Sequence, residues 1–171
     1  MAKQILEHVY DHEAAWRDRV WLTQPLGGGA VKDTTWGEAL DEARRMATHL
    51  QSLGLAMGDR VAMLSENRFE WLIADHAILS CGAANVPLHA PLSAAQVEYQ
   101  VGHSESRGII ISGQSQADKV FADTRQRQFL GRQLTVRRRS RMNGQATRIT
   151  DVGNMGKELQ VVDKLCPRCT P

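Results

Sequence analysis

The stretch GDRVAMLSENRFEWLIADHAILSCGAANVPL, residues 58–88, decides the fold. Gly58-Asp59 forms a turn into Val61-Ala62-Met63-Leu64, an unbroken apolar run of the kind a strand carries when both of its faces are covered. Residues 68–81 are apolar nearly all round and stop at Gly82, which predicts a deeply packed helix with a glycine just past its end. Asn85-Val86-Pro87-Leu88 reads as a second short strand, and Pro87, which lacks an N–H, restricts it to a sheet edge, a strand end or a bulge. A strand, a packed helix and a further strand make the unit from which parallel sheets are assembled.

Downstream, Ser93 and Gln96 have the spacing of a capping box ahead of Val97 and Val101, and Ile109-Ile110-Ile111 is a third β-branched run. Strands near 61, 86 and 109 with a helix in each gap give a β-α-β-α-β series, hence an α/β fold with a parallel sheet and right-handed crossovers. Upstream, Thr35-Trp36-Gly37-Glu38 is another capping box. Trp36, Ala39, Leu40, Ala43, Met46, Ala47, Leu50 and Leu53 then recur in helical steps until Gly54. Val20-Trp21-Leu22-Thr23 and Ala30-Val31 flank Gly27-Gly28-Gly29 as the strands of a hairpin, while Ile5, Val9 and Trp16 mark an amphipathic first helix ending near Arg17.

A chain of 171 residues, 42% hydrophobic and 23% charged, can bury a core, which excludes a disordered polymer, a fibre or a disulfide miniprotein. Three cysteines and the acid-containing start MAKQILEHVYDHE give neither a disulfide framework nor a secretory signal, so a reducing, cytoplasmic setting is expected. Residues 77–97 lack charge over a membrane-spanning length but contain Gly82, Asn85, Pro87, His89 and Pro91, and read as buried soluble structure. The formal charge of +2 conceals an asymmetry. Residues 1–123 hold ten basic against sixteen acidic residues, a net of −6, and residues 124–171 hold eleven against three, a net of +8. Residues 124–148 contain eight arginines, no acid and no clean period. The expected organisation is one domain segment over 1–123 followed by an irregular basic tail over 124–171.

Candidate chemistry is sparse. Gly27-Gly28-Gly29 fails as a phosphate loop because a strand, not a helix amino end, follows it. Cys166-Pro167-Arg168-Cys169 has the spacing of half a zinc knuckle or a redox dithiol, but a structural zinc needs two more ligands. Cys81 is assigned to a packed helix and His103 lies far off, so accident is the better reading of the motif. The arginines of 124–148 could neutralise nucleic-acid phosphates, yet Phe129 alone is available to stack a base, which favours a solvated tail or out-of-frame translation. His76, His89 and His103 find no nucleophile or carboxylate set, Asp59 and Arg60 read as turn and ion-pair residues, and Trp71 as core. No catalytic, cofactor-binding or metal residue is assigned.

Taken together, Thr35-Trp36-Gly37-Glu38, LGLAMGDRVAMLSENRFEW at 53–71, ADHAILSCGAANVPL at 74–88 and LSAAQVEYQVGHSESRGIIIS at 92–112 resemble the N-terminal part of AMP-forming acyl-CoA synthetases. The Ser-Glu-Asn-Arg-x-Glu-Trp form at 65–71 and Leu-Ser-Ala-x-Gln at 92–96 are similar to the long-chain fatty acid ligases of that adenylate-forming superfamily. The resemblance covers about residues 5–122 and implies a partial N-terminal subdomain of the adenylate-forming fold.

It also implies a two-step reaction. ATP and a fatty acid give an acyl-adenylate and pyrophosphate, and coenzyme A then displaces AMP, with Mg2+ assisting. Such chemistry needs a Ser/Thr/Gly-rich loop ending in Pro-Lys-Gly, a Tyr-Gly-x-Thr-Glu segment, an acid for the ribose and a lysine on a mobile C-terminal domain. None stands in this chain. The nearest stretch, Ser112-Gly113-Gln114-Ser115, has no following lysine and falls where a strand-to-helix turn is expected. The resemblance thus implies a scaffold fragment of a fatty acid–CoA ligase, inactive alone, which binds none of these cofactors well. Its fatty acid substrate is compatible with peripheral membrane association, and no nucleic acid is expected. The resemblance fades near Thr124, which is what a frameshift or truncated reading of GC-rich coding DNA produces. The competing reading is a small α/β binding module whose basic tail engages nucleic acid or anionic lipid.

Overall fold

The computed structural model describes residues 3–121, 149–151 and 160–163, with side chains up to Val120. The elements follow as α1 Ile5–Trp16, β1 Val20–Gly27, β2 Ala30–Thr35, α2 Trp36–Ser52, β3 Arg60–Ser65, α3 Phe69–Ser80, β4 Ala84–His89, α4 Ala94–His103, β5 Gly108–Ile111, α5 Gln114–Phe121, β6 Ile149–Asp151 and β7 Gln160–Asp163. They fall into two compact units, Met1–Ala56 with Asn67–Gly82 and Met57–Glu66 with Ala83–Pro171.

In the first unit, α2 begins at the expected capping box. Thr35 Oγ1 accepts from the Glu38 amide at 3.3 Å, and the Glu38 carboxylate accepts from the Thr35 amide at 2.9 Å. The next two amides of the helix are satisfied from outside it: Trp36 N–H donates to the Arg19 carbonyl and Gly37 N–H to the Arg17 carbonyl. Buried Ala39, Leu40, Ala43, Met46, Ala47 and Leu50 form the stripe that the periodicity predicted, and α3 packs beside α2 with Ile73, Ala74, Ala77 and Ile78 buried. The thiol of Cys81 donates to the Ala47 carbonyl at 3.5 Å, tying the end of α3 to α2. Trp71, expected in the core, is only half-buried.

The β1–β2 hairpin is antiparallel and turns at Gly28-Gly29, where both φ angles are positive (+60° and +81°), a conformation open to glycine at little cost. Helix α1 departs from the amphipathic expectation. It buries no residue, and Ile5 is 77% exposed. Ion pairs and rings hold it instead. Glu13 pairs with Arg17 and Arg44, and the Tyr10 hydroxyl lies 3.1 Å from Ser80 Oγ. Trp16 meets Trp36 edge-on at 5.2 Å, while Trp36 stacks on Trp21 at 4.2 Å.

In the second unit, β3 is flanked by β4 and β5, both parallel to it, as the β-α-β-α-β pattern requires. One face of this sheet carries Ala62, Leu64, Leu88, Ile109 and Ile111, covered by Val97 and Val101 of α4 and Ala117 and Val120 of α5. The alternate residues Val61, Met63 and Ile110 are buried as well, so the unbroken apolar runs do mark strands covered on both faces. Each fully buried aliphatic side chain contributes about 1.5–3 kcal/mol. Pro87 pairs in register with Met63 on β4, the outermost strand on that side, which is the edge position its missing N–H demands.

The sheet runs further than the three strands read from the sequence, in the order β4-β3-β5-β7-β6, with β7 antiparallel to β5 and β6 antiparallel to β7. Ile149–Asp151 and Gln160–Asp163 lie within the stretch expected to be irregular. Three or four residues are too few to show a period in a sequence, so only their pairing reveals them. The arginine-rich residues 124–148 lie outside the described residues, as do Cys166 and Cys169.

Candidate functional site

In an open parallel α/β sheet, ligands bind at the carboxyl ends of the strands, where neighbouring connections diverge. Here that place is the end of β3 and β5, which lead to α3 and α5. The Ser112 amide extends the ladder by donating to the Leu64 carbonyl at 3.2 Å. Glu66, just past β3, reaches across to the β5–α5 turn, accepting a hydrogen bond from the hydroxyl of Ser112 and one from Gln116 Nε2 at 2.5 Å. Ser65 Oγ donates to the Glu66 carbonyl at 2.8 Å. Ser65, Ser112 and Gln116 are buried, whereas Glu66 is exposed. This cluster spans 46 to 50 residues of chain and carries no local signature, so sequence reasoning missed it.

The Glu66 carboxylate sets the electrostatics of this turn. Ser112-Gly113-Gln114-Ser115 is the expected strand-to-helix turn leading into α5, and two side-chain donors there, Ser112 Oγ and Gln116 Nε2, point at the Glu66 carboxylate, whose charge opposes an anion. No lysine follows within the turn.

The other candidates are dispersed. Gly27, Gly28 and Gly29 form the hairpin tip. His76 is buried, with Nδ1 2.9 Å from the Leu72 carbonyl and its ring perpendicular to Trp21 at 5.2 Å. His89 is exposed at the end of β4, and His103 at the end of α4 stacks on Tyr99 at 5.6 Å. Asp59 pairs with Arg107 at 3.2 Å, and Arg60 donates to the Ser104 carbonyl and to Glu105, in keeping with turn and ion-pair roles. Burial pushes the Cys81 thiol above its ordinary pKa, which makes it a poor nucleophile. Among the described residues no group of three or more His, Cys, Asp or Glu could hold a metal, and no helix is long and apolar enough to cross a membrane.

Comparison with known proteins supplies what this geometry lacks. The AMP-binding enzyme family matches residues 9–163, running on past Thr124. A long-chain-fatty-acid–CoA ligase, FadD15 of Mycobacterium bovis, is 39% identical over 112 residues, which is 66% of this chain and 18% of that protein. The solved N-terminal domain of FACL13 from Mycobacterium tuberculosis superposes with a TM-score of 0.61 at 26% identity, covering 71% of this chain and 30% of the other. An O-succinylbenzoate coenzyme A synthetase from Bacillus subtilis, solved in complex with ATP and a magnesium ion, gives a TM-score of 0.56 at 25% identity, covering 61% and 27%. The chain thus spans less than a fifth of the length of that curated relative and under a third of either solved chain.

Proposed function

Because the chain belongs to the AMP-binding enzyme family, we propose that it is an N-terminal scaffold segment of a long-chain fatty acid–CoA ligase. The observation that carries this reading is the 39% identity with a long-chain-fatty-acid–CoA ligase over 112 residues. In a full-length enzyme the activity would be ATP-dependent joining of a fatty acid to coenzyme A. This segment would contribute a three-stranded parallel core and its helices, and no residue that touches the reacting atoms. The expected division at residue 123 would fall inside the stretch the family matches, residues 9–163, so the family segment would take in part of the basic remainder, in a cytoplasmic setting. Nothing observed favours the nucleic-acid or anionic-lipid module.

Two measurements test the proposal. The isolated chain, given ATP, Mg2+ and a long-chain fatty acid, is expected to release no pyrophosphate, and any turnover that scales with the chain's concentration overturns its role as scaffold alone. A full-length relative whose matching segment is replaced by residues 5–121 is expected to retain acyl-CoA synthesis. A chimera that folds but has lost the activity counts against the assignment.

A further inference from the structure

We draw no further inference here: the strongest candidate, the Glu66 cluster at the carboxyl ends of β3 and β5, spends the Ser112 hydroxyl and the Gln116 amide nitrogen on its own carboxylate, and the buried Gln116 Oε1, an acceptor without a partner, does not by itself show what ligand would sit there.

Discussion

Glu105 occupies a backbone conformation that costs an L-residue about 1 kcal/mol, with φ at +50°. It sits one residue past the cap of α4, where its amide donates to the Gly102 carbonyl and the Ser106 amide to that of Val101, the paired bonds of a Schellman ending. Helix α2 makes the same ending with Gly54, whose φ is +89°. Glu105→Gly is therefore expected to stabilise the protein by about 0.5–1 kcal/mol, since the exposed Arg60–Glu105 pair it removes is worth little. A rise in the urea midpoint checks this, and an unchanged or lower midpoint contradicts it. A second residue sets a dependence on pH. Burial lowers the pKa of His49 below the ordinary 6.5, so the folded state keeps a neutral ring where the unfolded chain takes up a proton. Its contribution is intact above that value and is lost as pH falls below it. His49→Leu is expected to lose less stability than the parent between about pH 7.5 and pH 5.5, measured by urea titration at each pH. Equal losses would remove His49 as the cause.

At the scale of elements, what the sequence discloses is whatever is encoded locally. The boxes at Thr35/Glu38 and Ser93/Gln96 close over three residues, and both place a helix start correctly. Gly54 and Gly82 mark helix ends because a positive φ singles out glycine, and the same rule hides the equivalent ending at Glu105. Continuous apolar runs identify β3 and β5, but the exposed side of α1 is invisible to a spacing argument, since Ile5 has the right period without a surface to cover. The Glu66 cluster was illegible because its partners meet only after β3 and β5 pair. The hairpin tip offers a test of local coding by itself. A Cβ at Gly28 would meet nothing within 4 Å, so the cost of substitution there is purely conformational. Gly28→Val is expected to destabilise by about 1–2 kcal/mol and Gly28→Asn by clearly less, because asparagine tolerates the left-handed region and a β-branched residue does not. Thermal melts of the two variants decide it, and equal losses would mean that the turn does not hold this conformation.

For the whole molecule, the question is whether three parallel strands suffice. A parallel sheet that stopped at β5 would present that strand's outer edge and invite pairing with other chains. The faces are not the weak point. Ala62, Leu64, Ile109 and Ile111 are buried on one side, and Val61, Met63 and Ile110 on the other. Among the described residues the exposed large apolar side chains sit elsewhere, at Ile5, Val20, Leu26, Val31, Met57 and Tyr99. The edge of β5 is instead taken by β7, whose register runs from Gly108 opposite Asp163 to Ile111 opposite Gln160. Net charge pulls the other way, because the acidic segment and the basic remainder offset one another only while they are joined. Ending the chain after Asp123 removes β6 and β7 and leaves a net charge of −6. That charge favours solubility, while the bared edge of β5 favours association. Four backbone pairs of open edge along a strand whose Ile109, Ile110 and Ile111 are buried outweigh diffuse repulsion at physiological ionic strength, where charges separated by more than about 8 Å are largely screened. The truncated chain is therefore expected to self-associate, with sedimentation showing a loss of monomer that deepens with concentration, while the full chain stays less associated at equal concentration. A truncated chain that remained monomeric and melted like the full one would show that β6 and β7 add nothing to the fold, and that residues 1–123 are the entire structural unit.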